Sequence, residues 1–242
     1  MRARLAFLCL LHISPGLALA DDSITVAWRN KAPYHYLEQG VEQGFLLERA
    51  RLIFATAGIT TQFVQQPAKR IWHSFEQGTP RYCSFGWYRL PERERVAQFS
   101  LPFHTDPPQI ALVSTAALPA LRAHGSFAAL LRDPQITLGL VDGVSYGASL
   151  DRLIAGSANQ IEHATVEPTV MMRMVAAHRV DYMLADQADW DYLRQHESDL
   201  DGIAEQHFAD MPAGLERYIV CSKDVPAEQM DRINRAIKQT PH

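Results

Sequence analysis

Three polar side chains follow predicted strands, where they could bind the charged groups of a small molecule. Arg93 lies just past one strand, in the charged run 91–95. Ser145 follows a glycine turn after a second strand, and Asp186 follows a third. A guanidinium binds a carboxylate through two parallel hydrogen bonds, and a carboxylate pairs with an ammonium group. An arginine that faces an aspartate across a dry cleft would therefore suit a zwitterion.

Each of these residues also has a structural interpretation. The run Pro91-Glu-Arg-Glu-Arg95 is typical of a solvated loop or a helix start. Asp186 could instead cap the helix that follows its strand. Periodicity does not show whether Arg93 and Asp186 face each other, so their pairing is a hypothesis.

A first round of alternating strands and helices leads to Arg93. Its strands are β-branched and its apolar helices end at glycines. The strands are predicted at 24–28, 59–64 and 81–86, and the helices at 45–57 and 68–77. This β-α-β-α-β order favours a mainly parallel sheet covered by helices.

A second round of the same alternation carries Ser145 and Asp186. Strands are predicted at 109–114, 136–141, 161–165, 180–184 and 217–222; helices at 126–132, 146–155, 168–178, 187–196 and 226–239; and a connection at 116–124. We therefore predict two α/β lobes with crossings near 102–108 and 211–216. A ligand of such a protein binds beyond the carboxyl ends of the strands, in the cleft between the lobes.

The composition of the chain excludes several classes of function. The chain has 242 residues, 47% hydrophobic and 21% charged, which is enough for two cores. Its net charge is −4 and it has no Lys/Arg-rich run, so we predict no nucleic-acid partner. No apolar run reaches the roughly 18 residues of a membrane span. The 10 histidines are scattered, and we predict neither a metal nor a cofactor.

The N-terminus is typical of a secretory signal peptide. Arg2 and Arg4 precede a short apolar core at Leu5–Ile13, and Ala18-Leu-Ala20 fits an A-x-A cleavage site. Cys9 lacks the neighbouring small residue of a lipid-attachment signal. We predict cleavage after Ala20 and a soluble, exported, periplasmic protein.

Two cysteines, Cys83 and Cys221, remain after this cleavage, each in a strand-like run. In an oxidising compartment such a pair could form a disulfide. Two buried free thiols are the alternative, and the residues alone leave both open.

Several short motifs follow one another along residues 22–240. They are Pro33-Tyr34, Gly44-Phe45 and Glu48; Leu90–Arg93 and Phe99–Phe103; Leu138–Gly143; Arg179–Asp186; and Tyr218–Lys223 with Asn234. In this order and spacing, the chain resembles the bacterial family 3 extracellular solute-binding proteins, the amino-acid-type periplasmic receptors of ABC importers.

The resemblance implies a type II periplasmic-binding fold, in which two lobes joined by a two-strand hinge close on a ligand. It divides the chain into a signal peptide at 1–20, a first lobe at 21–108, a second lobe at 109–211, and a return to the first lobe with a C-terminal helix at 212–242. It also places Cys83 and Cys221 on strands of one lobe, where they could be bonded.

The resemblance further implies roles for the three polar residues. Arg93 matches the arginine that clamps a ligand carboxylate. Asp186 matches the acid that takes the ligand amino group. Ser145 belongs to the turn of the second lobe whose backbone meets the carboxylate.

Several positions around this site depart from the family pattern. Lys31 stands where the family has a stacking aromatic, Tyr88 where it has Ser or Thr, and Val144 where it has Thr. Lys31 could reach an extra acidic group of the ligand. Tyr88, Trp87 and Tyr34 could build a flat aromatic pocket, or pack as ordinary core.

The leading hypothesis is a periplasmic binding protein that has no chemistry of its own. It would capture a small polar, amino-acid-like ligand for an inner-membrane ABC permease. One alternative is an enzyme like the cyclohexadienyl (prephenate or arogenate) dehydratases, with Glu167 or Asp142 as a cleft acid of raised pKa. Another is a stand-alone module that senses a ligand for a membrane partner. We predict a monomer.

Overall fold

The computed structural model describes residues 23–240, which form two five-stranded sheets flanked by helices. The predicted signal peptide and its cleavage site after Ala20 lie outside the described residues. Within those residues no helix has the length and apolar character needed to cross a membrane.

The first lobe begins with residues 24–105. Its elements are β1 (Ile24–Trp28), β2 (Tyr36–Glu38), β3 (Val41–Gln43), α1 (Phe45–Thr56), β4 (Thr61–Gln65), α2 (Ala68–Glu76), β5 (Tyr82–Trp87), α3 (Pro91–Glu94) and β6 (Ala97–Thr105). Strand β5 is buried along its whole length, as expected for a strand covered on both faces. Helix α1 buries residues three and four apart, such as Leu46, Ala50 and Ile53.

Glycine is required where α1 begins. Gly44 has a φ of 119°, and a Cβ there would lie 2.5 Å from the carbonyl carbon of Tyr34. A side chain at this position would displace the loop that carries Lys31.

The second lobe is built from residues 110–206. Its elements are β7 (Ile110–Ser114), α4 (Leu118–Arg122), α5 (Phe127–Leu130), β8 (Thr137–Val141), α6 (Ala148–Ala155), β9 (Gln160–Ala164), α7 (Pro168–Ala176), β10 (Tyr182–Ala185), α8 (Gln187–His196) and β11 (Ile203–Gln206). The chain then returns to the first lobe as β12 (Glu216–Ser222) and α9 (Ala227–Gln239).

Each sheet has one strand that runs against the other four. The strand orders are β4-β1-β5-β12-β6 and β11-β7-β10-β8-β9. Strand β12 is antiparallel to both neighbours in the first sheet, as β7 is in the second. The prediction of α/β lobes with mainly parallel sheets is therefore confirmed. Residues 106–109 and 207–215 connect the two sheets.

The segment predicted as a connection at 116–124 contains helix α4, so that prediction was wrong. Strands β6 and β11 were also missed. Both are edge strands, and their partners β12 and β7 lie far away in sequence. Pro102 falls within β6, and proline is tolerated in a strand mainly at a sheet edge.

Cys83 and Cys221 are direct neighbours in the first sheet. They are register partners on β5 and β12, and both are fully buried. Their sulfur atoms lie 2.05 Å apart, as in a disulfide that would join positions 138 residues apart in sequence.

We expect the double substitution Cys83→Ala/Cys221→Ala to lower the free energy of unfolding by about 2–5 kcal/mol, because a long loop in the unfolded chain is no longer closed. Urea unfolding measures this loss. Alkylation of unreduced, denatured protein followed by mass spectrometry tests the bond itself. Label on both cysteines would show that they are free thiols.

Candidate functional site

The carboxyl ends of strands from both lobes meet at two adjoining cavities. The basic cavity has a volume of about 560 Å3, and its charged lining residues are Arg29, Arg89, Arg93, Glu216 and Arg217. The acidic cavity has a volume of about 290 Å3, and its charged lining residues are Lys31, Asp186 and Asp189. Tyr88, Ser145 and Leu215 line both cavities, so one ligand could contact both.

Arg29 and Arg93 carry positive charges that no carboxylate within residues 23–240 neutralises through an ion pair. Arg29 directly follows β1, and its guanidinium carbon lies 4.0 Å from the centroid of the Trp87 ring. Arg93 lies in α3, and its Nη1 donates a hydrogen bond of 2.9 Å to the carbonyl oxygen of Tyr88.

Burial is the largest influence on the pKa of both arginines. Burial, together with the positive charges of Arg217 and Arg93, lowers the pKa of Arg29 to about 10. Burial also lowers the pKa of Arg93. A desolvated cation beside like charges gains strongly from an anion, so the basic cavity can bind a ligand carboxylate.

Trp87, at the end of β5, holds both arginines in place. Its Nε1 donates a hydrogen bond of 2.7 Å to Ser84 Oγ, and its ring packs edge-on against Trp72. The guanidinium carbon of Arg93 lies 4.6 Å from the Trp72 centroid and 5.4 Å from the Trp87 centroid. Trp87 lines the basic cavity, but Arg29 covers its ring.

The positive charge of Arg217, in β12, is balanced by a carboxylate of the protein itself. It is 1% exposed, and its Nε donates a hydrogen bond of 2.7 Å to Asp106 Oδ1. Its Nη2 donates to the Tyr88 hydroxyl at 2.9 Å, and that hydroxyl donates to Asp106 Oδ2 at 2.9 Å. Burial opposes the charge of Asp106, but hydrogen bonds from His104 and Arg217 outweigh it and lower the pKa of this carboxyl. The hinge triangle of Arg217, Asp106 and Tyr88 joins β12 and the residue after β5 to the first segment that connects the two sheets.

The acidic cavity contains a cation from the first lobe and two acids from the second. Lys31 Nζ lies 3.7 Å from Asp186 Oδ2 and 3.4 Å from Asp189 Oδ2. Asp186 Oδ1 also accepts a hydrogen bond from Gln109, and its Oδ2 lies 3.7 Å from Arg217 Nη2. Asp186 precedes α8 without a side-chain capping bond, so its carboxylate faces the cleft rather than the helix.

Asp189 lies one helical turn after Asp186. Burial raises the pKa of Asp189 to about 6; the charge of Lys31 opposes this rise and that of Asp186 adds to it. Its Oδ1 is buried and accepts no hydrogen bond. The charged form of Asp189 therefore depends on Lys31.

The other predicted site residues are placed as follows. Ser145 Oγ donates a hydrogen bond of 2.6 Å to Asp151, so the hydroxyl orders the turn before α6. Val144 is 45% exposed and lines the acidic cavity.

Tyr34 is 1% exposed, and its ring lies beneath Lys31 and Arg217. The buried ring of Tyr34 therefore stabilises both cations through cation–π contacts.

The acids suggested for a dehydratase line neither cavity. Asp142 accepts a hydrogen bond of 2.6 Å from Thr165 and lies 3.4 Å from His163, in a separate depression of the second lobe. Glu167 is exposed and makes no side-chain capping bond to α7, although it precedes that helix. Among residues 23–240, no group of three or more His, Cys, Asp or Glu side chains could hold a metal ion.

Sequence reasoning missed Arg29, Arg217 and Asp189. Arg29 was detectable, because it follows a predicted strand in the same way as Asp186. Asp189 was detectable as the residue one turn beyond Asp186. Arg217 begins a strand, and it reaches the cleft because β12 is antiparallel to β5.

Solved structures with this architecture match nearly the whole chain. An ancestral arginine-binding protein bound to arginine covers 90% of this chain and 92% of its own, with 18% identity and a TM-score of 0.60. The ancestral amino acid-binding protein AncCDT-1, a precursor of cyclohexadienyl dehydratase, covers 90% and 88%, with 18% identity and a TM-score of 0.63. A double mutant of the Bordetella pertussis BvgS VFT2 domain covers 91% and 89%, with 17% identity and a TM-score of 0.67. At these identities the likeness shows the fold alone, a two-lobe type II periplasmic-binding fold.

Comparison of sequences gives the family. No curated protein matches the chain. The family described as "Bacterial extracellular solute-binding proteins, family 3" matches residues 24–240. The chain therefore belongs to family 3 of the bacterial extracellular solute-binding proteins.

Proposed function

We propose that this protein binds a small, carboxylate-bearing solute between its two lobes. One observation carries the proposal: the partly buried cations Arg29 and Arg93 face the basic cavity without a carboxylate partner in an ion pair among the described residues. Their placement suits a carboxylate, because the planar guanidinium group can form two parallel hydrogen bonds with it. The solute is amino-acid-like in size.

Contacts between the lobes support capture by closure. Lys31 of the first lobe pairs with Asp186 and Asp189 of the second. The Tyr36 ring of the β2–β3 hairpin packs edge-on against Tyr192 of α8, with 5.5 Å between centroids. A hinge that brings these groups together would enclose a ligand that touches both cavities.

Delivery to a membrane partner completes the proposal. The protein acts in the periplasm, as a monomer, and passes its solute to an inner-membrane ABC permease. A sensory role, in which the closed form regulates a membrane partner, uses the same site. Adjacent genes for a permease and an ATPase favour import, and an adjacent kinase or cyclase gene favours sensing.

Isothermal titration calorimetry and thermal shift test the binding. A ligand at a hundred times its dissociation constant is expected to raise the unfolding temperature by about 5–10 °C. The panel consists of small carboxylates with and without amino groups. Polyamines provide the comparison, because the basic cavity should reject them. Binding of polyamines and of no carboxylate would contradict the proposal.

A dehydratase remains a second candidate because of Asp189. Such an enzyme needs a carboxylic acid of raised pKa in its cleft, and burial gives Asp189 that property. Prephenate that is bound and returned unchanged would favour a receptor. Steady formation of its aromatic product, abolished by Asp189→Asn, would favour the enzyme.

A further inference from the structure

Lys31 supplies an ammonium group to the acidic cavity from within the protein. Its Nζ is within 4 Å of a carboxylate oxygen on both Asp186 and Asp189. The ring of Tyr34 lies 4.6 Å from the same nitrogen and favours a cation there. The lysine belongs to the first lobe, so this ammonium enters the acidic pair when the lobes meet.

The carboxylate oxygens of the acidic pair are already engaged or covered. Asp186 Oδ1 accepts from Gln109, and its Oδ2 faces Lys31 and Arg217. Asp189 Oδ2 faces Lys31, while its Oδ1 is buried away from solvent. A second ammonium group brought by a ligand would meet Lys31 at close range, and like charges in a poorly solvated site repel strongly.

In the basic cavity, by contrast, two positive charges lack carboxylate partners among the described residues. Arg217 is neutralised by Asp106, whereas Arg29 and Arg93 have no ion-pair partner within residues 23–240. Glu216, the one acid among the described residues that line this cavity, is exposed and accepts a hydrogen bond from the Tyr218 hydroxyl. The basic cavity therefore has more positive than negative side chains, and the acidic cavity has a built-in cation.

We propose that the ligand is an organic acid without an α-ammonium group. Its carboxylate binds Arg29 and Arg93, and Lys31 stands where the ammonium of an amino acid would otherwise pair with Asp186. This inference rests on the proposed carboxylate-binding function. It makes Lys31 the residue that selects organic anions over amino acids of the same carbon skeleton.

Matched ligand pairs that differ only in the amino group test the inference. Succinate is compared with aspartate, glutarate with glutamate, propionate with alanine, and 3-phenylpropionate with phenylalanine. The unmodified protein is expected to bind the amino-free member of its preferred pair at least about tenfold more tightly by calorimetry. Lys31→Met is expected to reverse this order, because the ligand ammonium can then occupy the vacated position. Lys31→Arg should keep the original order.

Lys69→Met is the matched control, because Lys69 is exposed on α2 and lines neither cavity. An amino acid that binds the unmodified protein as tightly as its amino-free partner overturns the inference and leaves carboxylate binding intact. A preference that Lys31→Met does not change overturns the role of Lys31. If no member of any pair binds the unmodified protein, both the inference and the proposed function fail.

Discussion

Arg93→Ala is expected to weaken carboxylate binding by about 100-fold or more. Truncating one partner of a buried, hydrogen-bonded charge pair costs about 2–5 kcal/mol of binding free energy. The substitution should change the stability of the ligand-free protein little, because relief of a partly desolvated cation without a carboxylate partner among the described residues offsets the lost hydrogen bond to the Tyr88 carbonyl and the lost tryptophan contacts. The Arg93→Ala protein should therefore have a nearly unchanged unfolding temperature in the absence of ligand, together with a large loss of affinity. Calorimetry with the tightest-binding carboxylate and a thermal scan without ligand measure the two effects.

Arg29→Ala is expected to act in the same direction. If both arginines hold one carboxylate, the two losses in binding free energy should not add in the double variant Arg29→Ala/Arg93→Ala. Arg95→Ala is the matched control, since Arg95 is exposed and lines neither cavity. Unchanged affinity in the Arg93→Ala protein would remove Arg93 from the site, whatever the effect of Arg29→Ala.

Local sequence signals were sufficient for much of the fold. The sequence predicts α8 with its observed bounds, Gln187–His196, because a strand ends just before it and basic residues mark its last turn. The strand that ends at Trp87 and the strand that ends just before Asp186 are likewise found from short apolar runs. Edge strand β6 is not, because its burial depends on β12, which is more than a hundred residues away.

The site was less predictable than the fold, for a physical reason. In the sequence, Lys31 is visible as a departure from the family pattern and Asp186 as a match to it. Their separation of 3.7 Å, however, depends on the approach of the two lobes. Without that distance, Lys31 was expected to reach an acid of the ligand. The structure places it against two acids of the chain itself, and the proposed preference for organic acids without an α-ammonium group rests on that contact.

Breaking the hinge triangle is expected to destabilise the protein strongly, because its ion pair is buried. Arg217→Met would leave the carboxylate of Asp106, with a side chain 3% exposed, without its main cation. Removing one partner of a buried ion pair costs about 3–5 kcal/mol of stability. Urea unfolding of the ligand-free protein at neutral pH measures the loss. The double variant Arg217→Met/Asp106→Leu should recover most of it, because two apolar side chains can replace a buried pair at little cost.

The pH dependence separates the charge of Asp106 from simple loss of packing. In the unmodified protein the pKa of Asp106 is lowered, so its ionised form stabilises the fold above the unfolded pKa of about 3.9, and that stability is lost on acidification. In the Arg217→Met protein, burial without the arginine should raise this pKa, so that the destabilisation disappears once the acid is protonated. The difference in free energy of unfolding between the two proteins should therefore shrink as the pH falls from about 7 to 4. A difference that stays constant over this range would mean that Arg217 stabilises the hinge by packing and not by neutralising Asp106.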